Sequence, residues 1–359
     1  MSANEALRQH RGFVVAGLGK MGIMHASMLG VVSGGRVAAL VDIDEKLGRN
    51  VQSMGVDAPV YTDINKCLDE IAPDGVWITT PQFVHRQLFE LCVSRGIPVF
   101  CEKPLAHTLE DARKMAAAAA ARPELPIAVG YMTAHNPLFH KAHDLVAAGE
   151  LGQACSFKAS TRLSQVFSPM KGWTFTKEQA GGGVLINSGC HLLMALHVLF
   201  GPPARVTVKG RGVHNQVEDT LGAIFEYANG LWGMIEITWS VPGHELQTHD
   251  IEVLGTAGTI EVGNEALRLW LHQKTRNHPA GWSQWLRSRT EPLAEFSLSP
   301  EYCGDEFFLE DQDFVNAVRK GGRPKVGLAE AMAIQELLEA MYRSMAENRP
   351  VDLASVVKS

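Results

Sequence analysis

The feature that most constrains this chain is Gly17-Leu-Gly19-Lys-Met-Gly22, placed straight after the short apolar run Phe13-Val-Val-Ala. A strand, a glycine turn and a helix to about Val31 lead to a second apolar run, Arg36 to Val41, which ends at Asp42. This is a βαβ unit of roughly 30 residues, the context in which a glycine fingerprint carries meaning. Gly17 permits the tight turn, Gly19 lets backbone approach a pyrophosphate, and Gly22 packs helix against strand. The helix start then offers unpaired N–H groups and a positive dipole end to the phosphates. Lys20 and Met21 lie inside the turn and count with the glycines as cofactor-binding. Asp42 stands where a carboxylate accepts hydrogen bonds from both adenine-ribose hydroxyls and repels a 2′-phosphate. No Arg follows it directly, so NAD is expected in preference to NADP.

The alternation continues with helix Asp63–Ile71, strand Gly75–Thr79, helix Val84–Ser94, strand Ile97–Cys101, helix Thr108–Ala121 and strand Pro126–Gly130. Strands alternating with helices predict an α/β, doubly wound parallel sheet. After about Tyr131 the character changes. A helix from Leu138 to Ala148 precedes β-type runs at Cys155–Leu163, Arg205–Lys209, Thr220–Tyr227, Leu231–Trp239 and Ile251–Leu254. Asn229-Gly230 is a hairpin signal, and Gly255-Thr-Ala-Gly258 reads as another turn. Strands without intervening helices predict a mostly antiparallel sheet. Helices at Phe307–Arg319 and Leu328–Ala346 close the chain. The expected division is a nucleotide-binding domain, 1–131, and a substrate-binding and oligomerisation domain, 132–359, with the last helices free to pack back on the first domain.

A second cluster of chemistry follows the later parallel strands. Glu102-Lys103-Pro104 follows the strand Ile97–Cys101, where a lysine can meet a substrate hydroxyl or carbonyl beside a nicotinamide ring. An ammonium hydrogen-bonded to the reacting oxygen stabilises a developing alkoxide and relays a proton. Thr79-Thr80-Pro81 ends the fourth strand and is expected to line the cofactor crevice. His85 is read either as a contact on the nicotinamide side or as a helix-start histidine on a solvated face. Tyr131, Asn136 and Arg162 are candidate pocket residues, with ordinary loop hydrogen bonding as the competing reading. Trp173 is suited to stacking on a sugar face.

Charge and composition exclude other classes. The 359 residues are 46% hydrophobic and 20% charged, with a net charge of -6. That gives no basic face for nucleic acid or anionic lipid. Six cysteines, none in a Cys-x-x-Cys pair, signal neither a zinc site nor a redox dithiol, and fit a reducing cytoplasm. The polar N-terminus, Met1 to Gly12, lacks an apolar export segment, and the apolar runs look too short or interrupted for a membrane span. His135, His140 and His143 have no supporting carboxylates, so no metal is expected.

The segment Thr79–Leu105 resembles the glucose-fructose oxidoreductase / inositol dehydrogenase / rhizopine catabolism (Gfo/Idh/MocA) family. Gly181-Gly-Gly-Val-Leu-Ile-Asn-Ser-Gly-Cys-His191 is similar to the family's second signature, and Asp311–Leu353 to its closing helices. The resemblance implies an N-terminal Rossmann domain, a C-terminal α/β domain on a large open sheet, and hydride transfer between NAD(P) and a carbon of a sugar, cyclitol or related compound. It implies Lys103 as the catalytic lysine, with Glu102 orienting it or helping to position the cofactor. It also implies a proton-handling pair at Asn187 and His191, spaced i, i+4 on one helical face. The family more often carries Asp at the first position. An amide cannot carry a proton at neutral pH, so Asn187 is expected to orient substrate while His191 and Lys103 handle the proton. The expected protein is thus an NAD-dependent dehydrogenase of CH–OH groups (EC 1.1.1.-), a homodimer or homotetramer. An NADPH-dependent keto-sugar or imine reductase, a non-catalytic NAD-binding regulator and a structural scaffold are the alternatives.

Overall fold

The computed structural model describes residues 12–287 and 305–357. Cys303 and nearly all of the polar N-terminus, residues 1–11, lie outside them. The described residues fall into two compact units: 12–132 with 305–332, and 133–287 with 333–357.

The first unit holds strands β1 (Phe13–Ala16), β2 (Val37–Val41), β3 (Val60–Tyr61), β4 (Gly75–Ile78), β5 (Val99–Glu102) and β6 (Ile127–Gly130). They form one parallel sheet in the order β3-β2-β1-β4-β5-β6. This is the doubly wound dinucleotide-binding order, with its topological switch at β1/β4. Every residue of β1, β4, β5 and β6 is buried. Strands covered on both faces read as continuous apolar runs, which is why these were legible. Helix Glu45–Ser53 and the two-residue β3 were not anticipated. That helix is mostly polar and carries Gly48, so its pattern is weak, yet Gly48 lets it lie against Val60, where a Cβ would come within 2.3 Å. Helix Asp305–Lys320 docks through Phe314, whose ring packs edge-on to Trp77 at 4.8 Å and Phe100 at 5.9 Å.

The second unit is built on β7 (Ala154–Arg162), β8 (Arg205–Arg211), β9 (Thr220–Glu226), β10 (Trp232–Thr238), β11 (Thr248–Gly255), β12 (Gly258–Val262), β13 (Ala266–Leu271), β14 (Gly281–Leu286) and β15 (Val351–Asp352). Their order is β14-β13-β12-β11-β7-β10-β9-β8-β15. All pairs are antiparallel except β7/β10. The expected hairpin, β9/β10 around Asn229-Gly230, is present, and the expected turn at Gly255–Gly258 joins β11 to β12, a strand that was not anticipated. Alternating burial along β9 and β10 puts one face inward and leaves Ile224, Trp232 and Met234 outward. The inward face meets helix Cys190–Phe200, which is buried on nearly all sides.

One sequence expectation is corrected here. The helical stretch Lys177–Phe200 is long and apolar enough to cross a membrane by length and composition. In the fold 78% of its most apolar window is buried, so it serves as a core helix. The five described cysteines are all free thiols, and burial pushes those of Cys67 and Cys92 up to about 12.

The glycine turn yields a direct test. A Cβ on Gly22 would lie 1.9 Å from the Gly17 carbonyl oxygen, whereas one on Gly19 would meet nothing within 4 Å. Gly22→Ala is expected to lower unfolding free energy by about 1–3 kcal/mol. Gly19→Ala should stay within about 0.5 kcal/mol of the parent. Urea unfolding of both variants measures the difference, and equal effects would contradict the packing assigned to the turn.

Candidate active site

Gly17, Asp42, Thr79, Lys103 and Tyr131 each follow directly on β1, β2, β4, β5 and β6, so they share the carboxyl edge of one parallel sheet. Gly17 has φ 97°, and a Cβ there would strike the Thr80 amide nitrogen at 2.6 Å. Thr79 Oγ1 donates to the Gly17 carbonyl at 2.6 Å, so Thr79 braces the turn from the neighbouring strand. Gly19 and Lys20 are exposed, Met21 is half-buried, and no side chain caps helix Lys20–Met28. The helix start thus presents backbone N–H groups across open space, which fits a dinucleotide pyrophosphate. Asp42 Oδ2 accepts the Leu18 amide at 2.7 Å, and Oδ1 accepts that of Asp44 at 2.9 Å. Each oxygen keeps a further lone pair for a ribose hydroxyl. Ile43, next to it, is 95% exposed.

His85 is neither solvated nor directed outward. It is buried, with Nε2 2.9 Å from the Thr80 carbonyl and Nδ1 3.2 and 3.3 Å from those of Pro104 and Leu105. Burial lowers its pKa, against the pull of these carbonyl contacts. It therefore ties the Thr80-Pro81 turn to the segment after Lys103.

Glu102 is buried and Lys103 half-buried. Glu102 Oε2 accepts the Lys103 backbone amide at 2.9 Å, and Oε1 lies 3.0 Å from His25 Nε2. His25 Nδ1 is 2.8 Å from Asp311 Oδ1, which also accepts the Trp77 indole N–H at 3.0 Å. Burial pulls the imidazole pKa down, but the Asp311 charge and the hydrogen bonds from Asp311 and Glu102 hold it well above its ordinary value. His25 and Asp311 escaped the sequence reading. They are 286 positions apart, and each is one polar residue in a helix, so no spacing rule joins them. With Glu310 they are the one set among the described residues compact enough to compare with a metal centre, their ligating atoms lying within 4.8 Å. Here both imidazole nitrogens face carboxylates at hydrogen-bond distance. By contrast, His140 and His143 face separate backbone carbonyls, of Ala134 and Leu199.

In the second unit the triple glycine is a close-packed turn. A Cβ on Gly182 would strike the Tyr342 hydroxyl, and one on Gly183 the Glu218 carbonyl oxygen. Buried Glu218 accepts the amides of Gly183 at 2.9 Å and Leu185 at 3.1 Å, and the Tyr342 hydroxyl at 2.9 Å. A carboxylate at a helix start is favourably placed against the dipole. Residues Leu185–Gly189, including half-buried Asn187, form a π turn before helix Cys190–Phe200. Such wide turns concentrate at functional sites. Buried His191 has Nδ1 3.2 Å from Thr133 Oγ1, and its ring lies 6.1 Å from that of His249. His249 Nδ1 is 2.7 Å from Thr161 Oγ1, and its Nε2 is 3.3 Å from the Gln247 amide nitrogen, which also donates to the Ser188 carbonyl.

The other pocket candidates lie in varied surroundings. Arg162 pairs with Glu236 at 2.7 Å on the outward face, whereas Thr161, one residue earlier, faces His249. Strand side chains alternate, so both cannot serve the same face. Arg162 lines an outward cavity of about 680 Å³ with Lys158, Glu236, Asp250 and Arg268. Asn136 is the N-cap of helix Pro137–Ala147, accepting the Leu138 amide and donating to the Asn264 carbonyl. Trp173 opens a short 3₁₀ turn and is half-buried, while Phe175 packs on Trp239 at 5.5 Å. Tyr131 is fully buried.

Comparison with known proteins follows this geometry. Residues 11–131 match the model of an oxidoreductase family with an NAD-binding Rossmann fold, and residues 139–261 match that of the Gfo/Idh/MocA C-terminal domain. The chain is 26% identical over 330 residues to D-apiose dehydrogenase of Paraburkholderia graminis, covering 90% of this chain and 85% of that one. It is 27% identical over 353 residues to scyllo-inositol 2-dehydrogenase (NAD(+)) of Bacillus subtilis, covering 94% and 95%. A levoglucosan dehydrogenase solved with NADH and L-sorbose shares the fold at TM-score 0.85 and 19% identity, covering 96% of this chain and 99% of that one. With both unit models matched over more than half its length, the chain belongs to the Gfo/Idh/MocA family of NAD-binding oxidoreductases.

Proposed function

We propose that this protein is an NAD-dependent dehydrogenase that passes a hydride between nicotinamide and a secondary carbinol carbon of a sugar, sugar derivative, glycoside or cyclitol. The observation that carries this reading is the shared sheet edge: an open, uncapped helix start at Gly19 and Lys103 at the end of β5. The relatives named above act on compounds of this class by their names. Bound at the glycine turn, the cofactor would supply the hydride acceptor. Gly19 and the helix start would hold its pyrophosphate, Asp42 its ribose hydroxyls, and Ile43 would cover the adenine.

In this reading the Lys103 ammonium bonds the reacting oxygen and stabilises it as the C–H bond breaks and the carbonyl forms. His191 takes the hydroxyl proton. The Thr133 contact fixes its ring at Nδ1, so Nε2 is the nitrogen we assign to that proton. Asn187 orients a neighbouring hydroxyl, since an amide bonds but does not titrate.

Three outcomes are expected. Fluorescence titration should show tighter binding of NAD than of NADP, and Asp42→Ala should erase the preference; an unchanged preference would place the selective contact elsewhere. Screened by cofactor reduction over sugars, glycosides, uronic acids and cyclitols, the parent should turn over at least one. On that substrate Lys103→Met should lose roughly a hundredfold or more in turnover at unchanged NAD affinity. His191→Ala should do likewise and flatten the acid limb of the pH–rate profile, while Asn187→Ala should act mainly on KM. Parallel loss of NAD affinity would make Lys103 a cofactor-holding residue. Finally, the outward sheet face mixes Ile224, Trp232, Met234, Trp270 and Trp282 with charges, and we propose that it assembles a homodimer or homotetramer. Light scattering at micromolar concentration should report two or four copies; a monomer rejects this.

A further inference from the structure

We propose that His25 and Asp311 form a buried relay that positions Lys103 through Glu102. The inference rests on the assignment of Lys103 to the reacting oxygen. Glu102 is held at both oxygens, by His25 Nε2 at 3.0 Å and by the Lys103 backbone amide at 2.9 Å. His25 is fully buried and held at both nitrogens, the other by Asp311. An imidazolium donates from both nitrogens at once, so with Asp311 and Glu102 both ionised the bridge from helix Asp305–Lys320 to the end of β5 needs the second proton of His25. Asp311 is fixed in turn by the Trp77 indole. Each group thus has its direction set by the next, and the last link is the backbone of Lys103.

The charge balance of the pocket supports this. The titratable groups around His25 are Glu102 from β5 and Asp311 and Glu310 from helix Asp305–Lys320, with Glu306 on the same helix acting on Glu310. Burial pushes the Glu310 carboxyl well above its ordinary value, and both its oxygens are buried with no hydrogen-bond partner. Its charged form is thus disfavoured beside His25. The imidazole itself is bracketed at hydrogen-bond distance by the Glu102 and Asp311 carboxylates, a pairing that breaks badly when one member is removed. The aromatic rings of Phe100 and Phe307 lie 4.9 and 6.3 Å from the imidazole, so a displaced charge would have a poor alternative environment.

The pH dependence follows by sign. In the parent, the folded His25 pKa is raised, so the bridge is complete below the ordinary imidazole value and is lost only as pH rises through the raised one. Asp311→Asn removes the larger source of the rise. The proton then leaves at lower pH, and Lys103 loses its support on the alkaline side first.

The test uses His25→Gln and Asp311→Asn, each in the full-length parent and in Lys103→Met, with turnover counted per NAD-binding site. His25→Gln should lower turnover roughly ten- to a hundredfold in the parent, with NAD affinity within about threefold, because it displaces a reacting group without touching the cofactor. In the Lys103→Met background the same change should cost nothing further. Asp311→Asn is isosteric and decides the question if His25→Gln does not fold. Its turnover relative to the parent should fall as pH rises, which a merely structural residue would not produce. Multiplicative losses in the double variants, a pH-independent Asp311→Asn ratio, or a stoichiometric divalent metal whose chelation abolishes turnover would each overturn the relay. Full turnover in Lys103→Met alone would instead overturn the lysine assignment, which separates the two failures.

Discussion

The first unit depends on the close approach of the Gly17 turn to the backbone of Thr79 and Thr80. There is no room for a β-carbon at Gly17 or Gly22, and the Thr79 hydroxyl donates into the same turn. Because β1 and β4 are neighbours in space although two strands separate them in sequence, this contact sits at the switch point of the sheet. It fixes the start of helix Lys20–Met28, and with it His25. His85 carries the constraint onward, since its two nitrogens address the Thr80 turn and the carbonyls after Lys103. Through these two links, the ends of β1, β4 and β5 are set relative to one another by buried side chains bonded to backbone rather than by exposed ones.

What could be read from the chain and what could not divides along a physical line. Fully buried parallel strands are apolar in every position, and a fingerprint of three glycines needs one geometry, so the first sheet was legible almost strand by strand. β12, β13 and β14 were not, because Thr259, Glu261, Arg268 and Gln284 interrupt the apolar run with outward polar side chains. The same alternation explains Arg162. Its position at the end of β7 was read correctly, but one residue decides the face, and the chemistry-bearing neighbour of His249 is Thr161. Asn136 was noticed for its polarity, which the structure spends on capping a helix. Residues joined only through tertiary contact, such as Asp311 and Trp77, leave no trace in local spacing.

Carboxylates that hold backbone amides recur beside the candidate site residues and elsewhere in the second unit. Asp42 grips Leu18 beside the glycine turn, Glu102 grips Lys103, and Glu218 grips Gly183 and Leu185 ahead of Asn187 and His191. Asp219 does the same for Val213 and His214 while accepting the Trp239 indole. An amide at a turn has no strand or helix partner, and an orphaned buried donor costs on the order of 1–3 kcal/mol. A carboxylate satisfies it with a stronger, charge-assisted bond and adds a direction. The penalty is burial of the acid, visible at Glu218, whose pKa is raised by desolvation even though three donors pull it down. Asp219 goes the other way: its donors outweigh burial and its pKa is lowered. For Asp219 the stabilisation is present above the ordinary carboxylate range and is lost as pH falls through the lowered pKa. Glu218, already disfavoured as an anion, takes up its proton earlier on the same descent. Because a raised carboxyl pKa means that the folded turn binds the proton better than the unfolded chain does, this uptake relieves the cost of the buried anion, so the turn that precedes Asn187 and His191 should hold in mild acid and the Asp219 anchor is the one that acid weakens.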